Sequence, residues 1–229
     1  GGLAGAARLL EEAAATDPYE PLVLFNSARL ADALGKTDLA IRLGEYIAER
    51  DPLFFWAQLN LAGQYFIAGR IDEALARFEL AKNLNASAGG VRWKMGLARL
   101  VAGDAEGALA EFEKEKEQVY RLHGLALAYH DLGREQASRE ALNELVEKER
   151  EVWPYGLARA YAWLGDADET FRYLEEKKAR PDALQMGGLA THPMFRKLHD
   201  DPRWLPFLES IGQTPEQVAA FRFDVEPPG

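Results

Sequence analysis

Gly35, Gly69 and Gly103 stand 34 residues apart, and Gly133 and Gly165 follow after 30 and 32 more. Each closes an apolar run. Five residues beyond the first three come Ala40, Ala74 and Ala108, on the same 34-residue period. Ser138 and Thr170, both small, hold that place in the later copies. Asp17-Pro18 and Asp51-Pro52 are also 34 apart. Several independent positions with one period mark a structural repeat. A unit of this length cannot bury its apolar face alone, so the chain is constrained to an array of stacked copies.

The unit reads as two helices. Before each glycine, apolar residues fall at helical spacing, as in Leu125, Ala128 and Leu132 or Leu157, Tyr161 and Leu164. Glycine suits the end of such a helix because that position often needs a positive φ. Thr37, Asp104 and Asp166 then stand where a side-chain oxygen would cap the next helix. The second helix is amphipathic, as in Ile71 to Phe78, and Asp-Pro ends it. No strand-like alternation occurs, which predicts an all-α chain.

With these residues in view the chain resembles the tetratricopeptide repeat, whose pattern is W-x2-L-G-x2-Y, then A-x3-F, then P. The best copy has Leu61-Ala62, Tyr65, Gly69, Ala74 and Phe78. The next has Met95-Gly96, Ala108 and Phe112, with Arg99 in place of the tyrosine that Tyr129 and Tyr161 restore later. The first copy departs most, with Ala31 for the tyrosine and Gly44 for the phenylalanine. The resemblance implies a right-handed superhelical solenoid. Small residues would sit where helices cross and large rings would fill the gaps. It places the array over 1–178, as one partial and about five full helix pairs, with a lone second helix from Leu3 to Ala15 at the start.

Residues 179–229 break the pattern and are expected to form a cap and tail of short helices. Pro193-Met194-Phe195-Arg196-Lys197-Leu198, then Asp201-Pro202-Arg203-Trp204, then Phe221-Arg222-Phe223-Asp224-Val225 resemble the ends of bacterial tetratricopeptide regulators. In those the repeats follow a winged-helix activator, a nucleotide cyclase or a protein kinase. A cap of this kind would bury Phe195, Leu198, Trp204, Phe207 and Leu208 against the last repeat. The start Gly1-Gly2-Leu3 without Met suggests an excised piece of a longer chain, so a missing signal peptide carries no information.

Composition narrows the function. The chain carries 27 Lys+Arg against 37 Asp+Glu, a net charge of −10, and lacks the basic surplus that nucleic-acid binding needs. Without cysteine there is no disulfide, thiol chemistry or Cys-ligated metal. The longest uncharged stretch, Pro52 to Gly69, contains Gln58, Asn60 and Gln64, which suits a protein-covered helix and not a membrane span. The compartment stays open: the cytoplasm is the default, the periplasm if the parent carries an upstream anchor. Phosphate-loop, nucleophile-elbow, zinc-protease and dinucleotide fingerprints are missing. The chain is therefore read as a non-enzyme without cofactor. His123 and His130, like His192 and His199, are seven residues apart, too sparse for a metal site, and read as solvent-facing or groove-lining. The run Glu111 to Glu117 reads as a solvated face.

The resemblance also implies an inner, concave face lined by the first helix of each pair. Projection of those helices puts Phe25, Asn26 and Arg29 there, then Trp56, Leu59, Asn60, Gly63 and Phe66, then Trp93, Lys94 and Leu97. Tyr120, His123, Leu127 and His130 follow, then Tyr155, Arg159 and Trp163. The row is aromatic and mildly basic. Each ring has two readings, a groove wall or packing between repeats. As a groove it would take an extended or helical peptide of an unidentified protein partner, anchored by Trp56, Trp93, Tyr155 and Trp163 and oriented by Asn60, Lys94 and Arg159. The two-carboxylate clamp of some family members fits poorly, since Phe25 and Arg29 stand where lysine and asparagine belong. The alternative is a small-ligand sensory module controlling a fused output domain. Homo-oligomerisation is left open.

Overall fold

The structure, a computed structural model, describes residues 3–180 and 186–228. Five helix pairs follow a lone first helix, α1 (Leu3–Thr16). They are α2 (Pro21–Ala33) with α3 (Thr37–Arg50), α4 (Phe55–Ile67) with α5 (Ile71–Leu84), and α6 (Val91–Val101) with α7 (Ala105–Glu113). Then come α8 (Gln118–Asp131) with α9 (Glu135–Glu149) and α10 (Pro154–Leu164) with α11 (Ala167–Lys178). A 3-10 helix (Pro193–Leu198) and two short helices, α12 (Trp204–Ser210) and α13 (Pro215–Ala220), close the chain. Among the described residues there is no strand, and no helix is long and apolar enough to cross a membrane.

The repeat glycines end the first helix of each pair. Gly165 caps α10 at φ 86, where its N–H reaches back to the carbonyls of Tyr161 and Ala162. The other four have the same positive φ. Asp104 caps α7 by accepting from Gly107 N at 2.9 Å, and Asp166 caps α11 by accepting from Glu169 N at 3.0 Å. Thr37 is a correction. Here Lys36 intervenes between glycine and threonine, so α3 already begins at Thr37 and its cap position, Lys36, makes no side-chain bond.

The chain forms two compact units. One holds α1 to α5 together with residues 186–192 and 202–228. Ala62 and Ala74, at the repeat's small positions, have no exposure, and Phe78 fills the gap beside them. Tyr65 donates to Glu45 Oε1 at 2.6 Å. Gly44, the departure in the first copy, abuts α4: a Cβ there would lie 2.8 Å from Gln64 Oε1 and 3.1 Å from Leu61 Cδ1. The missing ring is thus replaced by close helix approach. Gly187 comes equally close to the end of α2, where a Cβ would meet the carbonyl oxygen of Asp32 at 2.3 Å.

The other unit holds α6 to α11 with residues 193–201. The Phe112 ring lies across two helices at once. A Cβ on Gly96 would sit 2.3 Å from it, and one on Gly124 2.1 Å. Ser138 donates to the carbonyl of Ala126 at 2.7 Å, tying α9 to α8. The 3-10 helix packs on α10, where the buried Phe195 stacks on Tyr155 with centroids 6.0 Å apart.

The closing segment therefore divides in a way its sequence does not announce. Residues 193–201, with buried Phe195 and Leu198, join the unit of the last repeat. Trp204, Phe207 and Leu208 are buried as well, but they belong to the unit of α1 to α5. The polar alternation of 221–226 leaves two buried apolar anchors, Phe223 and Val225, with Phe221 half-buried beside them. These join the core of Ala7, Leu24, Ala28, Leu39 and Leu43.

Candidate functional site

Three first-type helices, α6, α8 and α10, run side by side in the second unit, and their predicted groove residues converge there. The register of α6 is set from outside. Glu115 Oε2 accepts from Gly90 N at 3.1 Å and Trp93 N at 3.2 Å, which satisfies the free N–H groups of the helix start. Its Oε1 accepts from the backbone of Lys116 and Glu117 at 2.9 and 3.1 Å. The run Glu111 to Glu117 is thus a solvated face only in part, at the exposed Glu113, Lys114, Lys116 and Glu117. Glu115 is buried, and Glu111 is largely buried against Arg92 at 2.8 Å. α7 stops at Glu113, and the turn that follows feeds the carboxylate inward.

Trp93, held by that turn, is 5% exposed. Its ring stacks on Tyr120 with centroids 4.7 Å apart and planes 18° apart. Its Nε1 donates to His123 Nδ1 at 3.1 Å. His123 Nε2 lies 3.1 Å from the carbonyl of Gly156. His123 is another correction: it neither lines a groove nor faces solvent but is fully buried, with both nitrogens engaged. Burial holds its pKa well below the usual histidine value, the charge of Arg159 adds to this, and the bond to Gly156 opposes it.

Trp153 completes the cluster, 5.6 Å from Trp93 and Tyr120 and 5.3 Å from His123. It was not singled out in the sequence. Its position at the start of α10, before Pro154, with Gly156 three residues on, was the available signal: the ring lies over Gly156, where a Cβ would meet it at 2.2 Å.

Arg159 stands among these rings. Its guanidinium carbon is 4.8 Å from the Trp93 centroid, 5.0 Å from Tyr155 and 5.4 Å from Trp153. Such contacts support a cation through the ring quadrupole. The side chain is half-buried, its Nε has no acceptor, and among the described residues no carboxylate pairs with it. Desolvation pushes its pKa down from the ordinary arginine value, yet a guanidinium stays protonated at neutral pH. The result is a fixed positive charge on an aromatic wall with hydrogen-bonding capacity unspent.

The rest of the predicted row is placed differently. Lys94 is half-buried and engaged. Trp163 donates from Nε1 to Asp131 Oδ1 at 2.9 Å, and its carbonyl accepts from Lys197. His130 faces Glu135 at 3.7 Å. Leu97 and Leu127 are core. In the other unit Phe25 is half-buried beside Phe54, centroids 5.3 Å apart, and Asn26 donates to the Leu22 carbonyl of its own helix at 2.8 Å. Arg29 is exposed, Asn60 and Gly63 are half-buried, and Leu59 is buried. Trp56 is 57% exposed, its ring against Phe55. Phe66 is another correction: it is 7% exposed and edge-on to His192 at 5.6 Å, so it offers a ligand no surface. Among the described residues no three metal-binding side chains gather.

The sequence matches no protein-family model, and no curated protein matches it. Solved structures do. A thermophilic TPR protein of Thermus thermophilus, 20% identical, superposes at a TM-score of 0.59 over 71% of this chain and 90% of its own. A tetratricopeptide repeat protein of Parabacteroides merdae, 19% identical, reaches 0.58 over 95% and 90%. YrrB, described as a TPR protein with an unusual peptide-binding site, is 13% identical at 0.52 over 90% and 98%. These likenesses, with the helix pairs and their period, establish that the chain has the all-α tetratricopeptide-repeat solenoid fold.

Proposed function

We propose that this chain is a non-catalytic binding scaffold for a segment of a protein partner, the interaction module of a larger bacterial regulator. The single observation that carries the reading is Arg159: half-buried, walled by Trp93, Trp153 and Tyr155, and without a carboxylate among the described residues. A structural arginine in a chain of net charge −10 has many carboxylates to pair with. One that has no carboxylate partner among the described residues and lies on an aromatic surface is suited to an incoming anion, because its N–H fork matches a carboxylate and the low surrounding dielectric strengthens the bond. The half-buried rings of Trp153 and Tyr155, not the buried Trp93, supply the apolar contact that a peptide anchor needs. YrrB, with its own peptide-binding site on this fold, supports a peptide over other ligands.

The test uses the full chain, Arg159→Met, and an array of synthetic peptides graded in acidic and aromatic content. Binding should follow acidic residues flanked by apolar ones and weaken with salt. Loss of a hot spot worth about 2 kcal/mol corresponds to about 30-fold in affinity. A folded Arg159→Met chain that binds the same peptides equally well sinks the reading. If no peptide binds but small carboxylates raise the unfolding temperature of the wild type alone, the sensory alternative takes its place.

A further inference from the structure

A second surface, on α1 and α3 and independent of Arg159, already has a peptide-like segment seated on it. Residues 222–226 run as irregular chain from Phe221, which leaves α13 in extended backbone. Their side chains alternate: Phe223 and Val225 are 4% and 2% exposed, whereas Arg222, Asp224 and Glu226 face solvent. Period-two burial is how an extended peptide is read by a surface, with alternate side chains in pockets. The backbone is read as well, since Asp224 N donates to Glu11 Oε1 of α1 at 2.8 Å. The last acid is read by a fork: Arg42 of α3 donates from Nη2 to Glu226 Oε1 at 2.9 Å and Oε2 at 3.0 Å, and from Nε to Oε2 at 3.3 Å.

The seating is also open to exchange. A cleft of about 710 Å³ flanks the segment, lined by Lys36, Thr37 and Arg42 together with Phe223, Asp224 and Glu226. Arg42 and Glu226 are 48% and 65% exposed, so their pair selects a partner more than it holds one. The segment is held by two buried apolar anchors, Phe223 and Val225, with Phe221 half-buried against the same core, and has the form of a ligand tethered to its own receptor. Such a tether sets a high effective concentration and masks the surface from weaker ligands.

We propose that the α1–α3 surface is a docking site for an extended peptide of the pattern aromatic-x-aliphatic-acidic, kept closed by residues 223–226, and that a partner segment with this pattern displaces them. The partner chemistry is read from the seated residues: a ring and a branched aliphatic two apart, then a carboxylate opposite Arg42.

The experiment keeps the full chain and vacates the site by Phe223→Ser with Val225→Ser. The probe is a fluorescein-labelled synthetic peptide with the sequence of residues 219–228. The variant should bind it at least about tenfold more tightly than the wild type, whose site is occupied. Arg42→Glu in the variant should weaken binding about tenfold, and a peptide carrying Glu226→Arg should restore it. A folded variant that ignores the peptide overturns the proposal. Should the variant unfold, amide exchange on the wild type decides. Protection of 222–226 lost while α1 and α3 stay protected supports displacement; exchange of all three only together overturns it. A wild-type dimer formed by swapping these residues would assign the site to a second copy and overturn it too.

Discussion

The indole N–H of Trp93 donates to Nδ1 of His123 at 3.1 Å, and that bond fixes the imidazole. An indole nitrogen can only donate, so Nδ1 is unprotonated and the single proton sits on Nε2, facing the Gly156 carbonyl at 3.1 Å. A second proton would break the tryptophan bond and place a charge beside Arg159. Burial first, and the charge of Arg159 second, hold the folded-state pKa well below 6.5. The unfolded chain takes up a proton near pH 6.5 that the folded chain refuses. His123 therefore imposes no penalty above that pH, and stability falls as pH drops below it, by up to ~1.4 kcal/mol per pH unit. His123→Asn should flatten that slope between pH 6.5 and 5, measured by urea unfolding at each pH. An unchanged slope would mean that the proton enters the folded cluster.

Phe112 makes a different demand, on space. Its ring occupies the volume where Gly96 and Gly124 would carry a Cβ. Gly124→Ala should destabilise by about 1–3 kcal/mol through overpacking, and so should Ala74→Leu and Ala108→Leu at the fully buried crossing positions. Phe112→Leu combined with Gly124→Ala should lose less than the two single changes summed, since the smaller side chain vacates the space. Additive losses in thermal unfolding would show that the glycine and the ring do not meet.

Glu115 offers a test of helix positioning. Four backbone N–H groups converge on its carboxylate. Glu115→Ala leaves those at Gly90 and Trp93 without an acceptor and should cost about 1–3 kcal/mol or more. Glu115→Gln keeps one acceptor oxygen and should fall between. Near-UV circular dichroism should change in the alanine variant, because Trp93 loses its anchor. Equal stability of both variants would reduce Glu115 to a surface residue.

The period carried most of the fold. Gly35 to Gly165 and Ala40 to Ala108 repeat because backbone conformation and helix crossing are local demands that each copy meets alike. The aromatic row was legible only in part. Helical projection puts both Trp93 and Trp56 in the inner row, yet Tyr120 and Trp153 cover Trp93, while among the described residues the Trp56 ring meets Phe55 alone. Which face a ring turns to water depends on neighbours contributed by other repeats, and projection of one helix omits them. Glu115 and the 223–226 segment escaped for the same reason at longer range. The contact from Asp224 to Glu11 joins residues 213 positions apart, and no period connects them.

The two tryptophans can therefore be separated by experiment. Trp93→Ala should cost about 3–5 kcal/mol of folding stability, since it empties a buried cluster. Trp56→Ala, at 57% exposure, should change stability by no more than about 0.5 kcal/mol. Guanidinium unfolding of both variants decides it. Equal losses would place the two rings in equivalent environments, against the structure.

Arg159 gives the sharpest test because folding and binding should respond to it in opposite senses. Its charge is partly desolvated, its Nε has no acceptor and no carboxylate among the described residues offsets it. Three aromatic faces return part of that cost, each about 0.5–2 kcal/mol where desolvated. Methionine has similar length, carries no charge and keeps sulfur contacts to the rings. Arg159→Met should thus leave stability unchanged within about 0.5 kcal/mol or raise it, while binding of acidic peptides is lost. The same variant should raise the pKa of His123, since it removes a neighbouring positive charge. Titration of the His123 ring by NMR reads this without any ligand. A variant that is several kcal/mol less stable, with His123 unmoved, would show that Arg159 is a structural element whose charge the rings fully absorb, and the anion site would lose its anchor.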